Sequence, residues 1–145
     1  MKLVVFKETA TRIPRKRIRR LFGLVTDEEA DPDWRSCVNL VFITDEKIRK
    51  LNHQYRKLNR ATDVLSFNLD LPQSKDDTFG EIYISTPTAI KQALAYKATL
   101  AEEYLRLVCH GLLHLFGYNH KRADEAVLMQ ERERYFLSRI NGACR

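Results

Sequence analysis

Apolar positions along this chain recur with two periods, and the switches between them predict short strands and amphipathic helices without repeats, low-complexity tracts or an interdomain linker. Lys2 to Phe6 reads as a short strand. Pro14 to Leu24 reads as a helix, with Pro14 suited to its first turn and Ile18, Leu21 and Phe22 to its buried side. Cys37 to Ile43 is dense enough in Val, Leu, Phe and Ile to be a central strand. Thr44 caps the next helix, which carries Ile48, Leu51 and Tyr55 on its buried side and ends near Arg56. Val64 to Phe67 and Glu81 to Ser85 are further strands, separated by a polar loop, Leu71 to Thr78, with Pro72 and paired aspartates. Pro87 opens a helix. A histidine-bearing helix follows, begun by the capping box of Thr99 and Glu102, and a last charged helix runs from about Asp124 to Ile140 with Val127, Leu128, Phe136 and Leu137 as its packing residues. The pattern predicts a single α+β domain over residues 1–145: a four-stranded mixed sheet packed with about five helices, its strand order left open.

The histidine helix carries the chemistry. His110 and His114 are four residues apart, about 40° from each other around the helix axis, so two imidazoles can point at one ion. Leu105, Val108, Leu112, Leu115 and Phe116 form the opposite, buried stripe, whereas Arg106 shares the histidine side. Gly117 is the usual left-handed helix stop and allows the chain to swing His120 round to the same metal. Three neutral imidazoles leave the fourth corner of a tetrahedral zinc open, as in catalytic sites. Zinc is the expected ion, one per chain, although imidazole-rich sites also take nickel, copper and cobalt.

The spacing of His110, His114, Gly117 and His120 has the frame of the metzincin peptidases, with one disagreement. Those enzymes place glutamate immediately after the first histidine as the base; this chain has Gly111. The run from His110 to His120 resembles instead the signature of the YbeY family, metal-dependent endoribonucleases linked to ribosomal RNA maturation. Leu51-Asn52, Tyr55-Arg56, Thr62-Asp63-Val64-Leu65-Ser66-Phe67 and Gly80-Glu81-Ile82 resemble the family's upstream blocks in order and approximate spacing. The chain departs from the pattern at Asn119, where aspartate is usual, at Ala61, where proline is usual, and at Asn59, where an acidic residue is common. Asn119 bears on a contact that would orient a ligand histidine.

The resemblance implies a zinc-dependent endoribonuclease that prefers single strands and acts in ribosomal RNA processing and ribosome quality control, with RNA and the ribosome or its proteins as partners. His110, His114 and His120 would be the ligands, and His114 and Arg56 the catalytic residues, Arg56 countering charge on the phosphate oxygens. Asp63 and Ser66 could simply cap or hydrogen-bond the strand from Val64 to Phe67. His53, far from the motif, reads as a surface residue. Arg106 is expected to point away from the metal or to contact RNA, because like charges repel.

Composition sets outer bounds. The hydrophobic fraction of 44% and charged fraction of 30% are those of a soluble domain, with no apolar run long enough for a membrane span. Met1 to Phe6 is too short to be a secretory signal, which predicts a cytoplasmic protein. The three cysteines, Cys37, Cys109 and Cys144, are too scattered for a disulfide framework or zinc knuckle, and Cys109 is expected to pack. A net charge of +6 suits a polyanionic partner. Basic residues crowd the first helix, where Arg15, Lys16, Arg19 and Arg20 are the candidate RNA contacts; a solvated helix face is the alternative. Two other functions fit the residues: a metallopeptidase-like hydrolase using Glu103 or Asp63 as base, and a non-catalytic zinc-stabilised module that binds RNA or the ribosome.

Overall fold

The computed structural model describes residues 1–69 and 78–141. Residues 71–77 of the expected loop and Cys144 lie outside them, and Thr78, expected to end that loop, instead begins a strand that continues through Glu81. Within the described residues the chain runs β1 (Lys2–Lys7), α1 (Arg15–Glu29), β2 (Cys37–Ile43), α2 (Asp45–Arg56), β3 (Val64–Asn68), β4 (Thr78–Ser85), α3 (Thr86–Ala95), α4 (Leu100–Leu115) and α5 (Ala123–Asn141). The sheet order is β1-β2-β4-β3. Strands β1, β2 and β4 are parallel and β3 is antiparallel to β4, so the mixed α+β sheet is as expected and its order comes from tertiary pairing.

The main core lies on one sheet face, where Leu3, Val38, Leu40, Phe42, Ile82 and Ile84 meet apolar residues of α1, α3, α4 and α5. On the other face Val41, Ile43 and Leu65 form a smaller cluster with Ile48 of α2. Strand β2 is buried on both faces, which explains its almost unbroken apolar run.

Local rules account for most element ends. The Thr44 hydroxyl accepts from the Lys47 N–H at the start of α2, and both bonds of the Thr99–Glu102 capping box are present in α4. Three expectations require correction. Helix α1 runs beyond Leu24 to Glu29, because Val25 continues its buried stripe and Glu29 is held by Tyr118 and Arg132. Tyr55 is not on the buried side of α2 but 60% exposed; Asn52 is buried instead, its Nδ2 donating to the Arg60 carbonyl. Val127 and Leu128 are 54% and 52% exposed, and α5 packs through Met129, Phe136 and Ile140. In both helices the apolar residues outnumber the positions that can face the core, and the packing partner selects among them.

The histidine helix lies against the sheet through Gly111. A Cβ there would stand 2.8 Å from Ile82 Cγ2 and 3.1 Å from Ser66 Oγ, so only glycine lets α4 approach this closely. Gly111→Ala is expected to destabilise the fold by about 1–3 kcal/mol through overpacking against a branched, stiff side chain. A urea unfolding midpoint equal to that of the unsubstituted protein would contradict this account of the contact.

Candidate metal centre

His110 and His114 reach the cleft from the polar side of α4, and Gly117, at φ +98°, turns the chain so that His120 joins them. The ring centroids of His120 lie 5.7 Å from His110 and 5.1 Å from His114. One ligand nitrogen from each of the three falls within 4.8 Å of the others.

The outer ring nitrogens show that this convergence is chemically directed. His114 Nδ1 donates to the Tyr118 carbonyl at 2.9 Å, and a carbonyl can only accept. His110 Nδ1 donates to Glu133 Oε1 at 2.5 Å. With hydrogen on both Nδ1 atoms, the neutral form of each ring turns a lone pair inward at Nε2, and the two Nε2 atoms stand 3.0 Å apart. Two facing lone pairs repel unless a cation lies between them. A tetrahedral zinc with bonds of 2.0–2.1 Å holds its ligand nitrogens roughly 3.3 Å apart, so this donor set fits such an ion. Burial, and then the neighbouring His110 ring, push the His114 pKa down to about 4, which keeps the His114 ring neutral and able to ligate at neutral pH.

Glu133 is the residue that sequence reasoning missed. It sits between Met129 and Phe136 on the inward face of α5, so a carboxylate within a buried stripe was the available signal. A carboxylate behind a ligand histidine fixes the tautomer and raises its basicity. Glu133→Gln is therefore expected to lower zinc affinity by about 10–100-fold, measured by competition with a chromophoric chelator. Unchanged affinity would show that the contact does not orient His110.

The same cleft, of about 640 Å³, is lined by all three histidines together with Arg56, Arg60, Asp63, Ser66 and Lys121. Arg56, at the end of α2, donates from Nη2 to the Ser66 carbonyl at 2.9 Å and lies over the Phe67 ring. Ser66 Oγ donates to the Gly111 carbonyl at 3.0 Å, so one residue of β3 ties the guanidinium to the histidine helix. Asp63 Oδ1 accepts the Val64 N–H. Arg106 makes two bonds to Glu103, at 2.9 and 2.7 Å, and lies near Asp63.

Several sequence candidates sit elsewhere. Arg15, Lys16, Arg19 and Arg20 are exposed on α1 and do not line the cleft; Arg19 donates to the Leu3 carbonyl. His53 is exposed. Cys109 is fully buried, and burial drives its thiol pKa up to about 12, consistent with packing. Asn119 Oδ1 accepts the Lys121 N–H, and the contacts to the outer nitrogens of His110 and His114 come from Glu133 and Tyr118 instead. Asn59 accepts from Arg49.

The peptidase alternative meets two obstacles. The position of the missing glutamate faces Ile82 across a gap too small for a Cβ, and Glu103 is 2% exposed and bound to Arg106 and Gln92.

Comparison with known proteins agrees with this geometry. The family model described as Endoribonuclease YbeY matches residues 4–141. The chain belongs to the YbeY family. Endoribonuclease YbeY of Desulforamulus reducens is 40% identical over 109 residues, covering 71% of this chain and 71% of that protein. The Clostridium botulinum relative of the same name is 34% identical over 134 residues, 79% of this chain and 81% of its own. The solution structure of TM1509 from Thermotoga maritima superimposes with a TM-score of 0.65 at 26% identity, over 97% of this chain and 89% of that one. The span matched by the family model takes in strands of the sheet and the histidine helix together. Among the described residues, no helix is long and apolar enough to cross a membrane.

Proposed function

We propose that this protein is a metal-dependent endoribonuclease that cuts single-stranded RNA, uses zinc, and acts in the cytoplasm on ribosomal RNA during processing and ribosome quality control. One observation carries the reading: three inward-facing imidazoles and a fixed guanidinium share a cleft that lacks the glutamate of a peptidase. The names of the relatives supply RNA as the substrate class.

His110, His114 and His120 would hold the ion, with Glu133 and the Tyr118 carbonyl keeping two of the rings in the ligating tautomer. When bound there, zinc supplies Lewis acidity, which stabilises charge on an oxygen and lets water give up its proton near neutral pH. Arg56 faces the same cleft and stabilises negative charge that builds on the phosphate oxygens as the phosphodiester bond breaks. Its bond to the Ser66 carbonyl and its place over the Phe67 ring hold the guanidinium at the cleft before substrate arrives, which reduces the reorganisation the reaction requires. Arg60 and Lys121, at the cleft wall, add attraction for the backbone on either side. The exposed Arg15, Lys16, Arg19 and Arg20 would contact flanking RNA, or the ribosome, outside the cleft.

The test is cleavage of end-labelled single-stranded and duplex RNA by purified protein, before and after chelation and with zinc restored. Cleavage of the single strand that is lost on chelation and regained with zinc is the expected result. Zinc-loaded protein that leaves both RNAs intact would refute the endoribonuclease reading.

A further inference from the structure

Helix α2 covers only part of the outer sheet face. The strand register places Phe6, Val41, Tyr83 and Leu65 in one row across that face, and Val4, Asn39, Glu81 and Phe67 in the next. Ile48 packs over Val41 and Leu65, whereas Phe67 and Tyr83 are partly uncovered and Tyr55 stands 60% exposed beside them. Phe67 lies 5.3 Å from the Tyr55 ring and 5.9 Å from Tyr83, with the Arg56 guanidinium over its face at 5.6 Å. Around this cluster is a hollow of about 360 Å³, walled by Leu51, Tyr55, Phe67, Leu69, Glu81 and Tyr83.

We infer that this hollow is a nucleobase-stacking subsite: Tyr55, Phe67 and Tyr83 receive a base of single-stranded RNA whose neighbouring phosphate reaches Arg56. The inference rests on the endoribonuclease reading and adds to it where the substrate strand leaves the metal centre. Three features select this occupant. Arg56 lines both the histidine cleft and the hollow, so the two meet at a group suited to a phosphate. Aromatic faces beside a guanidinium are the composition that binds unpaired bases without demanding a sequence. Glu81, which accepts a hydrogen bond from the Tyr83 hydroxyl on the floor of the hollow, repels phosphate but accepts from the N–H groups of a base edge. The base is thereby directed into the hollow and the phosphate out to Arg56. A duplex keeps its bases stacked internally and cannot offer one, so the subsite would also account for a single-strand preference.

Tyr55→Ala removes an exposed ring and leaves the core intact. Binding is measured by fluorescence anisotropy with a labelled 2′-O-methyl decamer of mixed sequence, alongside zinc affinity and sedimentation equilibrium of the free protein. Tyr55→Ala is expected to bind the decamer about 5- to 100-fold more weakly than wild type, the range for loss of one stacked base, with zinc affinity unchanged. Tyr55→Phe, which keeps the ring, is expected to restore binding. If the wild type binds the decamer and Tyr55→Ala binds it equally well, the subsite is refuted while the endoribonuclease reading stands. If the wild type binds no single strand, that reading fails and the subsite fails with it. A wild-type dimer that Tyr55→Ala disperses, with no change in RNA affinity, would assign this face to a second copy of the chain and overturn the inference.

Discussion

Replacing His114 by alanine is expected to abolish both stoichiometric zinc binding and cleavage of single-stranded RNA while leaving the fold in place. His114 is central to the donor set: its Nε2 lies 3.0 Å from that of His110, and its ring is nearer to His120 than the His110 ring is. Removing it leaves two imidazoles whose centroids are 5.7 Å apart. The loss in metal affinity should exceed the roughly 100-fold upper end found when only an outer partner of a ligand is removed. Unlike its neighbour Leu113, His114 is not part of the buried core, so thermal unfolding of the metal-free proteins should be similar. Metal analysis of the purified variant and a gel assay decide the matter. Full cleavage by protein that contains no metal would end the proposed mechanism.

Substituting Arg56 by alanine is expected to lower kcat for RNA by about 10²–10³-fold with zinc content unchanged, the usual magnitude for removing one preorganised group that stabilises transition-state charge. The arginine is held by the Ser66 carbonyl and the Phe67 ring, and its hydrogen bond is not to a histidine. Arg56→Lys should recover little of the loss, because an ammonium lacks the planar fork that bonds the carbonyl while lying over the ring. The kinetic partition is the discriminating measurement. A raised KM with kcat untouched would make Arg56 a binding residue alone, since that pattern reports stabilisation shared by ground and transition states.

The two families of side chains at this site differ in how visible they were beforehand. His110 and His114 follow from helical periodicity, and His120 from the glycine that ends the helix, because all three histidines are local to eleven residues. Arg56 was not visible from spacing; only the resemblance of Tyr55-Arg56 to a family block raised it above a helix-end surface residue. Its placement depends on β3, whose Ser66 bonds it with one group and α4 with another across 45 residues of sequence. Glu133 escaped notice for a related reason. It follows His110 by 23 residues and looks like any charge on a charged helix until α5 packs on α4.

Helix faces show the same division. The apolar pattern of α2 proposed Tyr55 as core, yet the helix buries Ile48 and Asn52 and leaves Tyr55 exposed beside Arg56. The pattern of α5 proposed Val127 and Leu128, yet Met129, Phe136 and Ile140 face inward. Periodicity defines a stripe to within a residue or so, and the neighbouring element determines which edge of it is covered.

By itself, then, the sequence determined the α+β class, the positions of most elements, the family and the three histidines, because these depend on short-range geometry and on local capping and turn chemistry. Strand order, the Glu133 and Tyr118 contacts behind the ligands, the union of Arg56 with the histidine cleft and the separation of α1's basic residues from it were decided only by tertiary structure. The physical reason is that each requires elements distant in the chain to approach within hydrogen-bonding or packing range. Gly111 joins the two levels: its identity is written in the sequence, but the need for it arises only when Ile82 and Ser66 are brought against α4.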